Sequence, residues 1–272
     1  MTEAREARDR PRTWGGATLR VAALLAGLAA LTCARAEEEP SAVPYRPSVS
    51  TPAALSAPGW LEVEAGVLHE HVAAGERRDS VPVTLKLAFT ADWGIRVSAD
   101  SWAQSSETGG SRTSGFGDTG IVVKRRFPVD DASAFGLEAG ATAPTSHRGV
   151  GTGSGKPDWG VNAIYSVDFG AWHSDINAAA TRLGAFEAGT GRTQLLGALS
   201  LSRSIDDRWG VVGEVSGTHR RDAGSTSQLL VAATCNVSKR LVVDAGLARS
   251  LRGGAPSWSA FTGFTWLAGR VF

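Results

Sequence analysis

From Trp60 to the end of the chain the sequence alternates with a period of two. Val81, Val83, Leu85, Leu87 and Phe89 stand against Thr84, Lys86 and Ala88. Phe135, Leu137, Ala139, Ala141 and Ala143 stand against Glu138 and Thr142, and Trp159, Val161, Ala163, Tyr165, Val167 and Phe169 against Asn162, Ser166 and Asp168. Successive side chains of a strand point to opposite faces, so each run makes a strand with one apolar and one polar face. Carried through, the pattern predicts twelve strands, near 60–68, 81–90, 93–102, 117–127, 134–143, 159–169, 171–182, 193–204, 208–218, 227–237, 240–249 and 257–270. The connections alternate in length. Residues 91–92, 128–133, 170, 205–207 and 238–239 are short, whereas 69–80, 103–116, 144–158, 183–192, 219–226 and 250–256 are longer and rich in Gly, Ser, Thr and Arg. Tight turns at one end and long loops at the other are the pattern of a closed barrel in a membrane. The expected fold class is therefore all-β: a transmembrane antiparallel up-and-down β-barrel of about 12 strands over 60–272, long loops outside and both termini in the periplasm.

A soluble β-sandwich also alternates, and three features decide against it. The apolar faces are often only Ala, Val or Leu, with Leu, Ile and Phe thin overall beside 33 glycines. Charges sit in strand centres, where a water-filled lumen accepts them. Trp60, Trp93, Trp102, Trp159, Trp172, Trp209 and Trp258 fall at strand ends, where an indole keeps its ring in lipid and its N–H near headgroups.

The N-terminal end points to export. Arg5, Arg8, Arg10, Arg12 and Arg20 precede the apolar run 21–32, and Ala34-Arg35-Ala36 supplies a small-x-small cleavage pattern, so 1–36 reads as a signal peptide cut after Ala36. The apolar run is too short to span a bilayer as a helix. Lipidation at Cys33 is disfavoured, because Ala30-Leu31-Thr32 matches the required box poorly. Only Cys235 then remains, which excludes an intrachain disulfide. Residues 37–59 are acidic, then rich in Pro and Ser, with neither period; they read as a flexible periplasmic lead. At the other end the last strand closes on Phe272, the expected signal for the barrel-assembly machinery. Together these place the protein in a Gram-negative outer membrane, with outer-membrane lipids as neighbours. A net charge of +1 gives no reason to expect nucleic acid.

The stretch 115–127, GFGDTGIVVKRRF, followed by 135–169, FGLEAGATAPTSHRGVGTGSGKPDWGVNAIYSVDF, resembles the outer-membrane transporter family labelled "MetA-pathway of phenol degradation". A Gly-x-Gly-Asp opens a strand ending in basic and aromatic residues, a second strand runs into Pro-Thr, and a Gly-rich loop leads to an Asp-aromatic-Gly strand start. The chain departs from that pattern at Ser146, where a Gly commonly follows Pro-Thr, and at Arg270, where the last strand usually carries an apolar or aromatic residue. The resemblance implies a channel for hydrophobic or aromatic compounds, without catalytic residues.

Motifs that suggest other chemistry fail on context. GFGDTG (115–120) fits a dinucleotide fingerprint but leads into a strand rather than a helix. GVGTGSGK (149–156) lacks the first Gly of a phosphate loop, and Pro157 replaces its Ser or Thr. His173 and Ser174 point to opposite faces, so they form no dyad, whereas His173, Asp175 and Asn177 share a face; an activated Ser beside them would signal a lipid-acting enzyme. His69 and His71 share a face near a loop without a third metal ligand. Lys86, Arg96, Glu138, Asp175, Glu214 and Asp244 are the candidate pore-lining residues, read as a selectivity field or as a salt-bridged filling of side chains. No catalytic, cofactor or metal site is expected. The expected function is a non-enzymatic, monomeric or weakly oligomeric channel for passive uptake of small hydrophobic or aromatic solutes. The alternatives are a barrel enzyme acting on lipids and an adhesion or structural barrel that binds a partner through loops 103–116 and 144–158. Hydrophobic-solute channels carry an N-terminal hatch in the lumen; residues 37–59 are short for one but would occlude part of the pore if they entered it.

Overall fold

The computed structural model describes residues 39–73, 76–107, 109–146, 152–253 and 256–272, so the signal peptide and its cleavage site lie outside the described residues. Thirteen strands follow in order: β1 (Trp60–Ala73), β2 (Glu76–Ala88), β3 (Trp93–Ser106), β4 (Arg112–Gly115), β5 (Thr119–Pro128), β6 (Ser133–Ala143), β7 (Asp158–Phe169), β8 (Trp172–Arg182), β9 (Thr193–Ser204), β10 (Trp209–Arg220), β11 (Gly224–Ser238), β12 (Leu241–Arg252) and β13 (Trp258–Arg270). Each pairs antiparallel with its neighbour, and β1 pairs with β13 from Trp60 opposite Arg270 to His71 opposite Trp258. That last ladder closes a twelve-stranded barrel. The four-residue β4 only adds to the outer end of β3, opposite Ala103–Ser106. Closure removes the free edges that an open sheet would present, so that backbone groups within lipid pair along the ladders.

The alternation read from the sequence is the alternation of the two faces. Along β6, Phe135 and Leu137 are exposed while Gly136 and Glu138 are buried. Along β9, Leu195, Leu199 and Leu201 are exposed and Ala198 and Ser200 buried. Exposed here means facing lipid, and buried means facing a filled lumen. Three of the tight turns share one device. Asp206 Oδ1 accepts from the backbone N–H of Arg208 (2.8 Å) and Trp209 (2.7 Å), Asp130 Oδ1 from Ala132 N–H (2.9 Å), and Thr90 Oγ1 from Asp92 (3.2 Å) and Trp93 N–H (3.1 Å). A short polar side chain thereby closes the turn and hands the chain to the next strand. At the same rim, Arg125 lies over Trp93 (5.1 Å), Arg203 over Trp172 (5.3 Å) and Arg240 over Trp60 (4.8 Å). These cation–π pairs tie the aromatic belt to the headgroup level.

Two connections differ from their expected length. Residues 69–80 and 219–226 read as loops, but β1 and β2 pair out to Ala73 opposite Glu76, and β10 and β11 turn within 221–223, with Asp222 at a φ of 59°. Beyond the bilayer both strand faces meet water, so the ladder continues where the apolar period has stopped.

Candidate functional site

The segment preceding the barrel is not a lead trailing in the periplasm. Residues 40–58 run through the lumen, and side chains from widely separated strands take up their backbone groups. Ala42 N–H donates to Lys239 O (2.8 Å) at the β11–β12 turn, which fixes the point where the segment enters. Val43 N–H then donates to Glu62 Oε2 (2.8 Å), Tyr45 N–H to Glu64 Oε1 (2.7 Å), Ser50 N–H and Oγ–H to Glu214 Oε2 (2.8 and 2.7 Å), Thr51 N–H to Asn177 Oδ1 (3.1 Å) and Ala53 N–H to Ser166 Oγ (2.7 Å). The acceptors stand on β1, β10, β8 and β7, so the segment crosses the barrel. It leaves beside β2, where Gly59 N–H donates to Ala88 O (2.8 Å). Ser50 is 1% and Ala53 0% exposed, which is the burial of a plug. A strandless, Pro-rich segment is stable there only because these inward side chains replace the ladder partners it lacks.

Two side chains of the plug fasten it further. Arg46 forks onto Asp244 of β12, Nε to Oδ2 and Nη2 to Oδ1, both at 3.0 Å. The inner face is bare at Gly66 and Gly263, where a Cβ would come within 3.0 Å of the Arg46 guanidinium, so these two glycines make room for it. Tyr45 lies against two ammonium groups, Lys86 Nζ at 3.9 Å and Lys124 Nζ at 4.0 Å from its ring centroid. Its hydroxyl accepts from Lys124 (2.9 Å) and donates to Ala54 O (2.9 Å), which folds the plug back on itself.

All six residues singled out in the sequence point inward, and five of them act on the plug or on each other. Lys86 bridges Glu62 and Glu64 (2.6 Å each) and donates to Val43 O (2.6 Å). Glu138 faces Lys124 (3.1 Å) and Arg96 (3.4 Å). Glu214 and Asp244 hold Ser50 and Arg46 as described. Asp175 instead accepts from Ser166 Oγ (2.5 Å), the hydroxyl that receives Ala53 N–H, and sits 3.0 Å from His173 Nε2. Here a serine does lie beside the His173 and Asp175 pair, but it is bonded to the carboxylate and not to the imidazole. Its proton therefore points to the carboxylate and away from the imidazole, and the hydroxyl is covered by the plug. Sequence reasoning missed Glu62 and Glu64, although each alternates with apolar neighbours in its strand, and Lys124, which stands between Val123 and Arg125. It had no means of finding Tyr45 and Arg46, whose partners are remote in the chain. His69 and His71 face outward; the His71 ring stacks on Trp258 while that of His69 is tilted against it, with Nδ1 of His69 on Asp79 (2.6 Å).

Beyond the plug, towards the long loops, the lumen holds a cavity of about 290 Å³. Val49 and Thr51 of the plug form its floor, and Arg96, Glu138, Asn162, Asn177, Val122 and Leu196 contribute to its wall. The Asn162 amide N–H₂ donates to Glu138 (3.0 Å) and Asn177 (2.9 Å), which leaves its Oδ1 without a partner; Arg96 Nε is likewise buried and unpartnered. Arg96 and Asn162 thus line the cavity with their side chains, while these two atoms are themselves shielded from it.

A closed antiparallel barrel of twelve strands, apolar outside and filled by a polar N-terminal plug inside, defines an outer-membrane β-barrel. Comparison with solved structures gives the same fold. The chain superposes on an outer-membrane channel from Pseudomonas putida F1 with a TM-score of 0.63 at 14% identity, covering 79% of this chain and 97% of that one. It is also similar to the NanC porin (TM-score 0.54, 8% identity, 77% of this chain and 100% of that one). The KdgM porin bound to disordered oligogalacturonate matches with a TM-score of 0.52 at 7% identity, covering 76% and 99%. No protein-family description and no curated protein sequence matches the chain.

Proposed function

We propose that this protein is a passive outer-membrane channel for small, uncharged hydrophobic or aromatic solutes, closed on its periplasmic side by residues 40–58. The observation that carries the reading is the cavity above the plug, whose wall mixes Val49, Val122 and Leu196 with the polar side chains of Arg96 and Asn162. An unpaired buried donor or acceptor costs about 1–3 kcal/mol. Arg96 Nε and Asn162 Oδ1 are such atoms, just behind the cavity wall, and a solute with an apolar body and one hydroxyl recovers part of that cost when these side chains turn towards it. The resemblance of 115–127 and 135–169 to the phenol-degradation transporters supports the same solute class, and the barrel shared with an outer-membrane channel and two porins supports conduction.

The test is conductance and uptake together. In planar bilayers the full-length barrel is expected to show small or intermittent currents, and a barrel lacking residues 40–58 larger and steadier ones. In cells, loss of the protein should slow entry of a small phenol more than entry of a sugar of similar size. A truncated, folded barrel that does not conduct, together with unchanged phenol uptake, would refute the channel reading.

A further inference from the structure

The outward face at the loop end of the barrel carries a row of side chains that solute passage does not use. Register sets Arg77 opposite His71 in β2–β1, His71 opposite Trp258 in β1–β13, and Trp258 opposite Arg249 in β13–β12. Four residues from four adjacent strands therefore stand side by side. Below them on the same face are Val67, 53% exposed, and Leu247, 57% exposed, so the row sits at the top of the lipid-facing surface. Its height follows from the strand. His71 is eleven residues from Trp60, which marks the opposite rim. At about 3.4 Å per residue and a tilt of about 40°, that is roughly 28 Å along the membrane normal, just past an apolar band of about 25 Å.

The charges in this row are available. Arg77 and Arg249 are exposed, and neither has a carboxylate within 4.0 Å among the described residues. The nearest acid on this face, Asp79, is engaged by His69. His71 stacks on Trp258, with ring centroids 5.8 Å apart and planes 10° apart. Its Nδ1 lies 3.0 Å from Ser257 Oγ, and that hydroxyl donates to His71 O (2.9 Å), so the ring is the donor at Nδ1 and Nε2 is left over. In that tautomer Nε2 can accept from a hydroxyl of a headgroup lying alongside.

We propose that Arg77, His71, Trp258 and Arg249 form a binding site for the phosphorylated headgroup of an outer-leaflet lipid. Guanidinium groups match phosphate oxygens in geometry as well as charge. The two arginines are three strand spacings apart, about 14 Å, which suits a headgroup carrying more than one phosphate. The Trp258 indole packs where headgroup meets acyl chain.

The probe is lipid A, titrated onto the full-length barrel in detergent and read by native mass spectrometry. Bis-phosphorylated lipid A should bind at least about tenfold more tightly than dephosphorylated lipid A, as a charge-assisted hydrogen bond to phosphate requires. Inorganic phosphate at the same concentration should not displace it. The double variant Arg77→Gln/Arg249→Gln should lose about tenfold or more, while Arg182→Gln, exposed at the same end on β8, should bind as the parent does. Heat-modifiable gel migration verifies folding, and should the double variant misfold, each single Gln variant must show the loss. Equal binding of dephosphorylated lipid A would reduce the site to acyl-chain contact. Displacement by inorganic phosphate would make it a free-anion site. Either result, or parental binding by folded Gln variants, overturns the proposal.

Discussion

Glu214→Ala should loosen the plug and leave the barrel intact. Glu214 is 2% exposed, and its carboxylate accepts from Ser50 N–H, Ser50 Oγ–H and Val49 N–H at 2.8, 2.7 and 3.1 Å. Val49 is 39% exposed, so water can replace the bond to its N–H. Ser50 is 1% exposed, and its two donors lose their only acceptor. At about 1–3 kcal/mol for each orphaned buried donor, the closed plug loses roughly 2–6 kcal/mol. Since about 1.4 kcal/mol is a factor of ten, local opening becomes at least some thirtyfold more frequent. The ladder around Glu214, to Ser200 and Leu230, is made by backbone groups and does not change. Amide hydrogen exchange followed by mass spectrometry resolves the two regions: peptides spanning 45–54 should exchange at least about thirtyfold faster, with β9 to β11 unaltered. Glu214→Gln keeps one oxygen acceptor and should fall between. If residues 45–54 keep parental protection in a folded Glu214→Ala barrel, the anchoring argument is wrong. If β9 to β11 lose protection equally, the carboxylate supports the wall rather than the plug.

Ala139 faces lipid near the middle of β6, where an arginine costs about 2–4 kcal/mol, whereas Glu138 faces the lumen; Ala139→Arg should lower the heat-modifiable folded fraction far more than Glu138→Gln, and equal yields would show the register to be misassigned. Arg46→Ala removes the fork onto Asp244 and leaves that carboxylate buried without its cation, so single-channel recordings should show more frequent openings, and unchanged currents would refute the anchor. The Asp130 carboxyl is held below its ordinary value of 3.8 by the bond from Ser133 Oγ and then that from Ala132 N–H, and Asp206 by Trp209 N–H and then Arg208 N–H. A depressed carboxylate stabilises its turn above its unfolded pKa and loses that contribution as pH falls through the folded one. The amide resonances of Ala132 and Trp209 should therefore titrate with midpoints below 3.8, and midpoints at or above it would show the turn bonds to be weak.

The barrel was legible because lipid imposes a strict rule on every strand: one face apolar, at a period of two, for as long as the bilayer lasts. Where the bilayer ends, so does the signal, which is why 69–80 and 219–226 read as loops although Thr218 and Thr226 still pair across β10 and β11. The plug was illegible for a different reason. Val43, Tyr45, Val49, Ser50, Thr51 and Ala53 satisfy their N–H groups one at a time with side chains up to 165 positions away, as Val49 does with Glu214. No local spacing encodes such partners. What the sequence did show was the other half of each bond, the inward charges, whose strand parity gave their direction but not what they would hold.

Those charges, once placed, bear on the solute. Lys86 is matched by Glu62 and Glu64, Lys124 and Arg96 by Glu138, and Asp244 by Arg46. Glu214 and Asp175 are met by N–H and hydroxyl donors instead. A charge neutralised by a partner within about 3 Å projects little field into a cavity beyond it, because the opposed contributions cancel with distance. Of the charged residues that line the cavity above the plug, Arg96 already faces Glu138, and Asp158 accepts from Gly184 N–H, so an anion entering there would shed water without finding a free counter-charge. An uncharged solute has no such cost. The same pairing that keeps the plug in place thus removes the electrostatic reward that an anion would need, and this is the physical ground for the uncharged solutes proposed above.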